Sequence, residues 1–367
     1  MRLAVNLSHV DAVEQAQEAE QLGYDVAFAP EGYVTDAVSV LGYVAARTTR
    51  IHLAAGVCEI PARSPAMTAT TAATLDLLSG GRFRLGLGVA NSYFSESWHG
   101  TPFTAPLART REYFEVVRLA LRREPVRYQG NHFSLPRPGD EPFRIHLPGG
   151  DREIPIYLAA VGPRNLELAG EIADGWIGVF CTAPFVADAV RLIGKGRANA
   201  GRDMNGFDVV VSVPVLVADD PRAAADPIRG YVARFIGLGA PEQNVYYAHL
   251  RRLGYQTDAD EVLARVRAGD LRGAAARVPF EFVDEISLIG PPQRIARRMA
   301  AYAEAGVTTL ALSPFAADPM ARRIALRVAA TVVDQRPDPG LEAQPPAAAT
   351  ESHRKETPGW PVPTSVS

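Results

Sequence analysis

Cysteine is scarce in this chain. Only Cys58 and Cys181 occur among 367 residues. Neither belongs to a CxxC or has a histidine at ligand spacing, which argues against a zinc site or disulfide framework and for a reduced, cytoplasmic setting. Charge of one sign is scarce too. The formal net charge is -3 and no basic block appears, so nucleic acid is not an expected partner. No apolar run approaches the roughly 18 residues of a membrane span, so no membrane is expected either. The N-terminus, MRLAVNLSHV, lacks the basic start and long apolar stretch of a signal peptide and reads as a first strand. Chemical signatures are missing as well: no GxSxG elbow, no glycosidase-like pair of carboxylates and no metal-ligand cluster.

What is present is a beat. With 47% apolar residues the chain can bury a large core. Short β-branched runs alternate with helical patterns: LAVNL (3–7), DVAFA (25–29), IHLAAGVC (51–58), FRLGLGV (83–89), IPIYLAA (154–160), GWIGVF (175–180), FDVVVSVPVLVA (207–218) and VTTLALSP (307–314). Near-continuous apolar strands belong to sheets buried on both faces, and intervening helices make such sheets parallel. Helix punctuation agrees, as in SPAMTATTAATLDLLSG (64–80), with Ser64 as N-cap, Pro65 at the first position and Gly80 past the end. Eight strands with helical partners predict an α/β fold, a (β/α)8 TIM barrel, over residues 1–334; a doubly wound open sheet shares the local signature. A hairpin (about 125–153) and an Ala/Arg-rich helical lid region (about 220–290) read as insertions. Residues 335–367 hold seven prolines and little apolar content, which predicts a disordered tail.

Barrel chemistry collects at the C-terminal strand ends. Here these ends are small or neutral, which suits a flat cofactor that brings its own reactivity. AAVGPRN (159–165) ends a strand and opens a helix with Gly162 and Pro163. The free N–H groups there suit a phosphate and Arg164 can add a charge-assisted contact, or the segment is an ordinary turn. LGLGVAN (85–91) lacks a full GxGxxG, and its glycines can equally serve close strand packing. His9 is a candidate proton donor or a solvated helix cap. Glu31, with Tyr33 beyond it, is a buried acid facing the slot or a loop charge. Asn91 is a donor to a cofactor carbonyl or turn chemistry. Trp98-His99 reads as a packing plug rather than a catalytic pair. Cys58, without an adjacent base, reads as an inert buried thiol.

IPARSPAMTATTAATLDLLSGGRFRLGLGV (60–89) and IPIYLAAVGPRNLELAGEIADGW (154–176), with SESWHGTPF (95–103), PLARTREYFEVVRLALRREPVRYQGNHFSLP (106–136) and SLIGPPQRIA (287–296), resemble the bacterial luciferase-like monooxygenase family. The resemblance is to the branch that uses the deazaflavin coenzyme F420 in place of FMN, and it covers about residues 1–334. It implies a barrel with a lid, a homodimer packed through helices of the N-terminal half, and a cofactor ring across the strand ends. It also implies a non-proline cis peptide behind the ring at Gly56-Val57 or one bond either side, within Ala55–Cys58, and a phosphate grip at Ala160, Val161, Gly162 and Pro163. Glu59 is then expected to face solvent or a neighbouring subunit. The branch's strand-two loop carries an acid followed by histidine, where this chain has Glu31 and Gly32, and an acid after strand four is replaced by Asn91. Proton handling would fall to His9, Glu31, Tyr33 or the substrate. The expected function is hydride transfer between the deazaflavin and an organic small-molecule substrate, with a bulky secondary metabolite as the suggested class; an FMN monooxygenase and a catalytically silent flavin binder are the alternatives.

Overall fold

The computed structural model describes residues 1–148 and 152–334, so the segment expected as a tail lies outside the described residues. The eight apolar runs form β1 (Arg2–Asn6), β2 (Val26–Ala29), β3 (His52–Ala55), β4 (Phe83–Gly88), β5 (Ile156–Ala159), β6 (Gly175–Val179), β7 (Asp208–Val217) and β8 (Thr309–Pro314). Each pairs in parallel with the next, and β8 returns to β1 with Leu3 opposite Leu310. Closure selects the TIM barrel over the open sheet. The outer ring comprises α1 (Ala12–Gln21), α2 (Ala37–Ala45), α3 (Pro65–Leu78), α4 (Pro106–Leu121), α5 (Pro163–Ile172) and α6 (Ala183–Asn199). Ser64 caps α3 as its sequence predicts, accepting from Met67 N at 3.2 Å. The third strand is shorter than expected. It stops at Ala55, the Gly56-Val57 peptide is cis, and Cys58–Glu59 resumes as a two-residue strand beside β4.

Side chains alternate along each strand, so one set packs against the helices and the other fills the barrel. The barrel floor is polar. Asp208 accepts from Arg2 at 2.8 Å, from the Tyr157 hydroxyl at 2.9 Å and from Thr309 at 2.8 Å. Burial alone would raise this carboxyl's pKa, but the Thr308 hydroxyl, the Arg2 charge and the other donors outweigh it and hold the pKa below the ordinary value. Above the floor, Ala4, Val26, Ala54, Tyr157, Val210 and Ala311 form an apolar middle. A polar floor and a filled middle leave only the C-terminal end to receive a ligand.

Between β7 and β8 the chain adds α7 (Pro221–Ile236), α8 (Val245–Arg252), α9 (Gln256–Arg267), α10 (Leu271–Arg277) and α11 (Phe280–Glu285), then the strand Leu288–Gly290 on the edge of β7, α12 (Pro292–Glu304) and, after β8, α13 (Pro319–Asp334). The insertion has its own core of Ile228, Val232, Leu250, Val262 and Phe282, joined by Phe180 from the end of β6. His249 fastens this core to the barrel, its Nε2 lying 2.9 Å from the Phe180 carbonyl oxygen. It is 1% exposed. Burial, only partly opposed by that hydrogen bond, pushes its pKa down to about 4. The unfolded chain therefore binds a proton that the folded chain refuses between the ordinary value near 6.5 and about 4. Stability from this residue is complete above that window and falls through it, by roughly 2 kcal/mol at pH 5. Urea midpoints at pH 7.5 and 5 should show this loss, and H249F, which cannot be protonated, should lose less; an equal loss in both proteins would refute the assignment.

Candidate functional site

The upper layer of the barrel consists of the strand ends, and its side chains are short. Gly56, Gly88 and Ala159 line one side, and Asn6, Ser212 and Ser313 the other. A Cβ on Gly56 would come within 3.1 Å of the Phe28 ring, and one on Gly88 within 2.5 Å of Val57 Cγ2. Both glycines are needed for close approach, which makes a flat wall at the C-terminal mouth of the barrel, the well of the strand ends. The opposite wall is polar and organised: Asn6 Nδ2 donates to Ser212 Oγ at 2.7 Å and to Ser313 Oγ at 2.8 Å. These three residues were not singled out from the sequence. The available signal was a polar residue breaking each apolar strand, in LAVN, VVVSV and LALSP.

At the end of β5, the Ala160 carbonyl accepts from Trp176 Nε1 at 2.8 Å, which ties this loop to β6. Val161 and Gly162 are half-buried, and Pro163 and Arg164 are exposed. No side chain caps α5 and no acid lies in its first turn, whereas Asp36, Ser64, Thr182 and Asp220 cap α2, α3, α6 and α7. The space beyond Gly162 is open to 4 Å. An uncapped start with exposed N–H groups and no competing carboxylate is an anion receptor in waiting.

The other sequence candidates are more constrained. Glu31 is the buried acid, not the loop charge: it accepts from Glu59 N at 3.0 Å and is ion-paired with Arg63, which also reaches Asp36 at 2.7 Å. Its charge clamps the loop after β2 to the turn after β3. Tyr33 is exposed and stacks on Phe94, with ring centroids 5.6 Å apart. His9 is exposed, and Asp11, not His9, stands at the N-cap position of α1. Asn91 supplies turn chemistry, its Oδ1 accepting from Phe94 N at 2.9 Å to start the helical turn Tyr93–Trp98, while its Nδ2 makes no hydrogen bond among the described residues. Cys58 is buried, and burial with the nearby Glu31 charge pushes its thiol up to about 12, which suits packing and not nucleophilic attack.

Two expectations are corrected. Trp98 is no plug, being 62% exposed. Glu59 is not a free solvent-facing charge, because the turn after β4 swings His99 onto it, with Nε2 2.6 Å from Glu59 Oε2. Burial raises the Glu59 pKa, and the His99 hydrogen bond opposes that rise without cancelling it. The Glu59 charge adds to burial in holding the Tyr246 phenol up at about 12, so the carboxylate lies within electrostatic reach of α8.

A closed barrel with a small, neutral well and an uncapped helix start beside it is a scaffold for a flat, anion-tailed cofactor. The comparisons narrow that class. The chain belongs to the luciferase-like monooxygenase family, whose sequence model matches residues 7–309. A Mycobacterium tuberculosis protein carrying the name of a coenzyme F420-dependent oxidoreductase is 35% identical over 324 residues, 85% of this chain and 92% of that one. The 5,10-methylenetetrahydromethanopterin reductase of Archaeoglobus fulgidus is 32% identical over 310 residues, 82% of this chain and 88% of that one. Among solved structures, the coenzyme F420-dependent tetrahydromethanopterin reductase of Methanopyrus kandleri superposes with a TM-score of 0.74 at 26% identity, over 90% of this chain and 97% of that one.

Proposed function

We propose that this chain is a coenzyme F420-dependent oxidoreductase acting on a small organic substrate. The observation that carries the reading is the pairing of a glycine-floored well with an open helix start. Gly56 and Gly88 let Phe28 and Val57 pack closely on the strand ends, so a tricyclic ring would rest on the Val57 face, with its phosphate tail at the N–H groups of Gly162 and Arg164. When bound, the deazaflavin accepts or gives up a hydride. The protein's part is to hold and orient. Gly56 and Val57 form the rear wall, with the Ala55 and Cys58 side chains packed into the core behind it, and Asn6, Ser212 and Ser313 offer hydrogen bonds to a ring edge or substrate. Ala160, Val161, Gly162, Pro163 and Arg164 grip the tail. The Glu31–Arg63 pair keeps the wall in register, and Tyr33 on Phe94 shields the rim from water. Purified apoprotein titrated with oxidised F420 and, separately, with FMN tests the reading. Saturable binding of F420 with a perturbed visible spectrum is expected; exclusive binding of FMN would transfer the protein to the oxygen-using side of the family.

A homodimer and a cytoplasmic location complete the proposal. Tyr43 on α2 and Met67, Leu77 and Leu78 on α3 are large apolar side chains between 47% and 64% exposed on neighbouring helices, a face suited to a second copy. Two buried, unpaired cysteines suit a reducing compartment. Sedimentation should give a dimer that L78D dissociates; a wild-type monomer would refute it.

A further inference from the structure

Among the described residues, Glu31, Asn91 and His9 form no acid–base pair with one another. Glu31 is ion-paired with Arg63 through Oε1 while its buried Oε2 has no partner, Asn91 uses its Oδ1 to start a turn, and His9 has no described partner. Glu59 and His99 differ. Cys58 packs among the helices, so the residues on either side of it, Val57 and Glu59, turn the other way, toward the barrel axis. Glu59 lies in register with Gly88, whose own neighbour is the Val57 side chain of the well. The two side chains keep a little exposure, 12% for Glu59 and 17% for His99. While Glu59 is ionised it can only accept, so Nε2 of His99 carries the shared proton and Nδ1 is left as the open position. Nδ1 has no hydrogen-bond partner among the described residues and is not among their buried unpaired atoms.

This is the arrangement of a base whose far nitrogen is oriented by a carboxylate. We propose that His99 is the proton-transferring residue of this enzyme, that Glu59 positions it, and that the substrate is a carbonyl compound or the corresponding alcohol. The proposal rests on the F420 reading and extends it. Reduction of a carbonyl requires one hydride at carbon and one proton at oxygen. The hydride comes from the reduced deazaflavin, which ends oxidised. As the C=O π bond breaks, its electron pair takes the proton from Nδ1 of the His99 imidazolium, giving the alcohol and neutral imidazole, and solvent restores the proton. In the oxidative direction Nδ1 takes the hydroxyl proton while the hydride leaves carbon for the oxidised coenzyme. A substrate whose reduction required no proton would have no use for this pair.

The test uses the full chain labelled with nitrogen-15 at histidine, with H99Q to assign the signal. Neutral His99 is expected as the Nε2–H tautomer, E59Q should erase that preference, and saturating oxidised F420 should shift the Nδ1 resonance. A proton on Nδ1, or F420 binding that leaves the resonance unmoved, would overturn the proposal. Failure of F420 to bind the wild type instead sinks the cofactor reading, and the tautomer then decides the pair alone. With reduced F420 and a series of acetone, cyclohexanone and 2-decanone, H99Q should slow coenzyme oxidation about 100-fold or more while F420 affinity stays within about threefold. An unchanged H99Q rate overturns the role of His99, and no oxidation by wild type with any ketone overturns the carbonyl assignment.

Discussion

Replacing Gly86 by alanine is expected to cost about 3 kcal/mol of stability. Gly86 sits mid-strand in β4, and a Cβ there would overlap the Ala55 carbonyl oxygen while also meeting Ile177 Cδ1 at 3.2 Å. Backbone is the obstacle, so no rotamer change relieves the overlap, and β3 must move just where it turns toward the rear wall of the well. A helix glycine makes the control. Gly194 in α6 has nothing within 4 Å of its missing Cβ, so G194A should stabilise by roughly 0.5–1 kcal/mol. Urea midpoints of the two variants should move in opposite directions. A G86A midpoint equal to that of wild type would mean that β3 and β4 are not as close as described.

The same region shows what a sequence discloses and what it withholds. All eight strands were legible because each is a short apolar run bounded by turn residues, a signal confined to about ten neighbouring residues. The α3 cap was legible for the same reason, since Ser64 and Pro65 act within their own turn. The site was legible only where it too is local. Gly162-Pro163 announces an open helix start by itself, but the wall of Asn6, Ser212 and Ser313 joins residues more than 200 positions apart, and no periodicity connects them. Glu31 was ambiguous until Arg63, 32 residues on, arrived to bury it as a pair. Glu59 was misjudged because its fate depends on His99, carried in by a turn whose shape local propensity does not specify. Electrostatic partners across a barrel are chosen by closure, and closure is a tertiary event.

Gly162 offers the sharpest separation of stability from binding. Its backbone, at φ -82° and ψ 151°, is the conformation an N-cap residue adopts, and the space its side chain would enter is open. Aspartate there would accept from the first N–H groups of α5 and place a negative charge at the positive end of the helix. The expected gain is about 0.5 kcal/mol, which raises the urea midpoint slightly. The same carboxylate would occupy the donors assigned to the coenzyme phosphate and repel it. Losing charge-assisted hydrogen bonds of about 1.5–3 kcal/mol corresponds to roughly 10- to 100-fold weaker F420 binding. G162S supplies a neutral cap to the same N–H groups, so it should lose less affinity than G162D, and the difference between the two should shrink as salt is raised. Most stabilising caps leave function untouched, so a variant that folds better and binds worse would locate the phosphate at this helix start. F420 affinity in G162D within threefold of wild type would place the tail elsewhere.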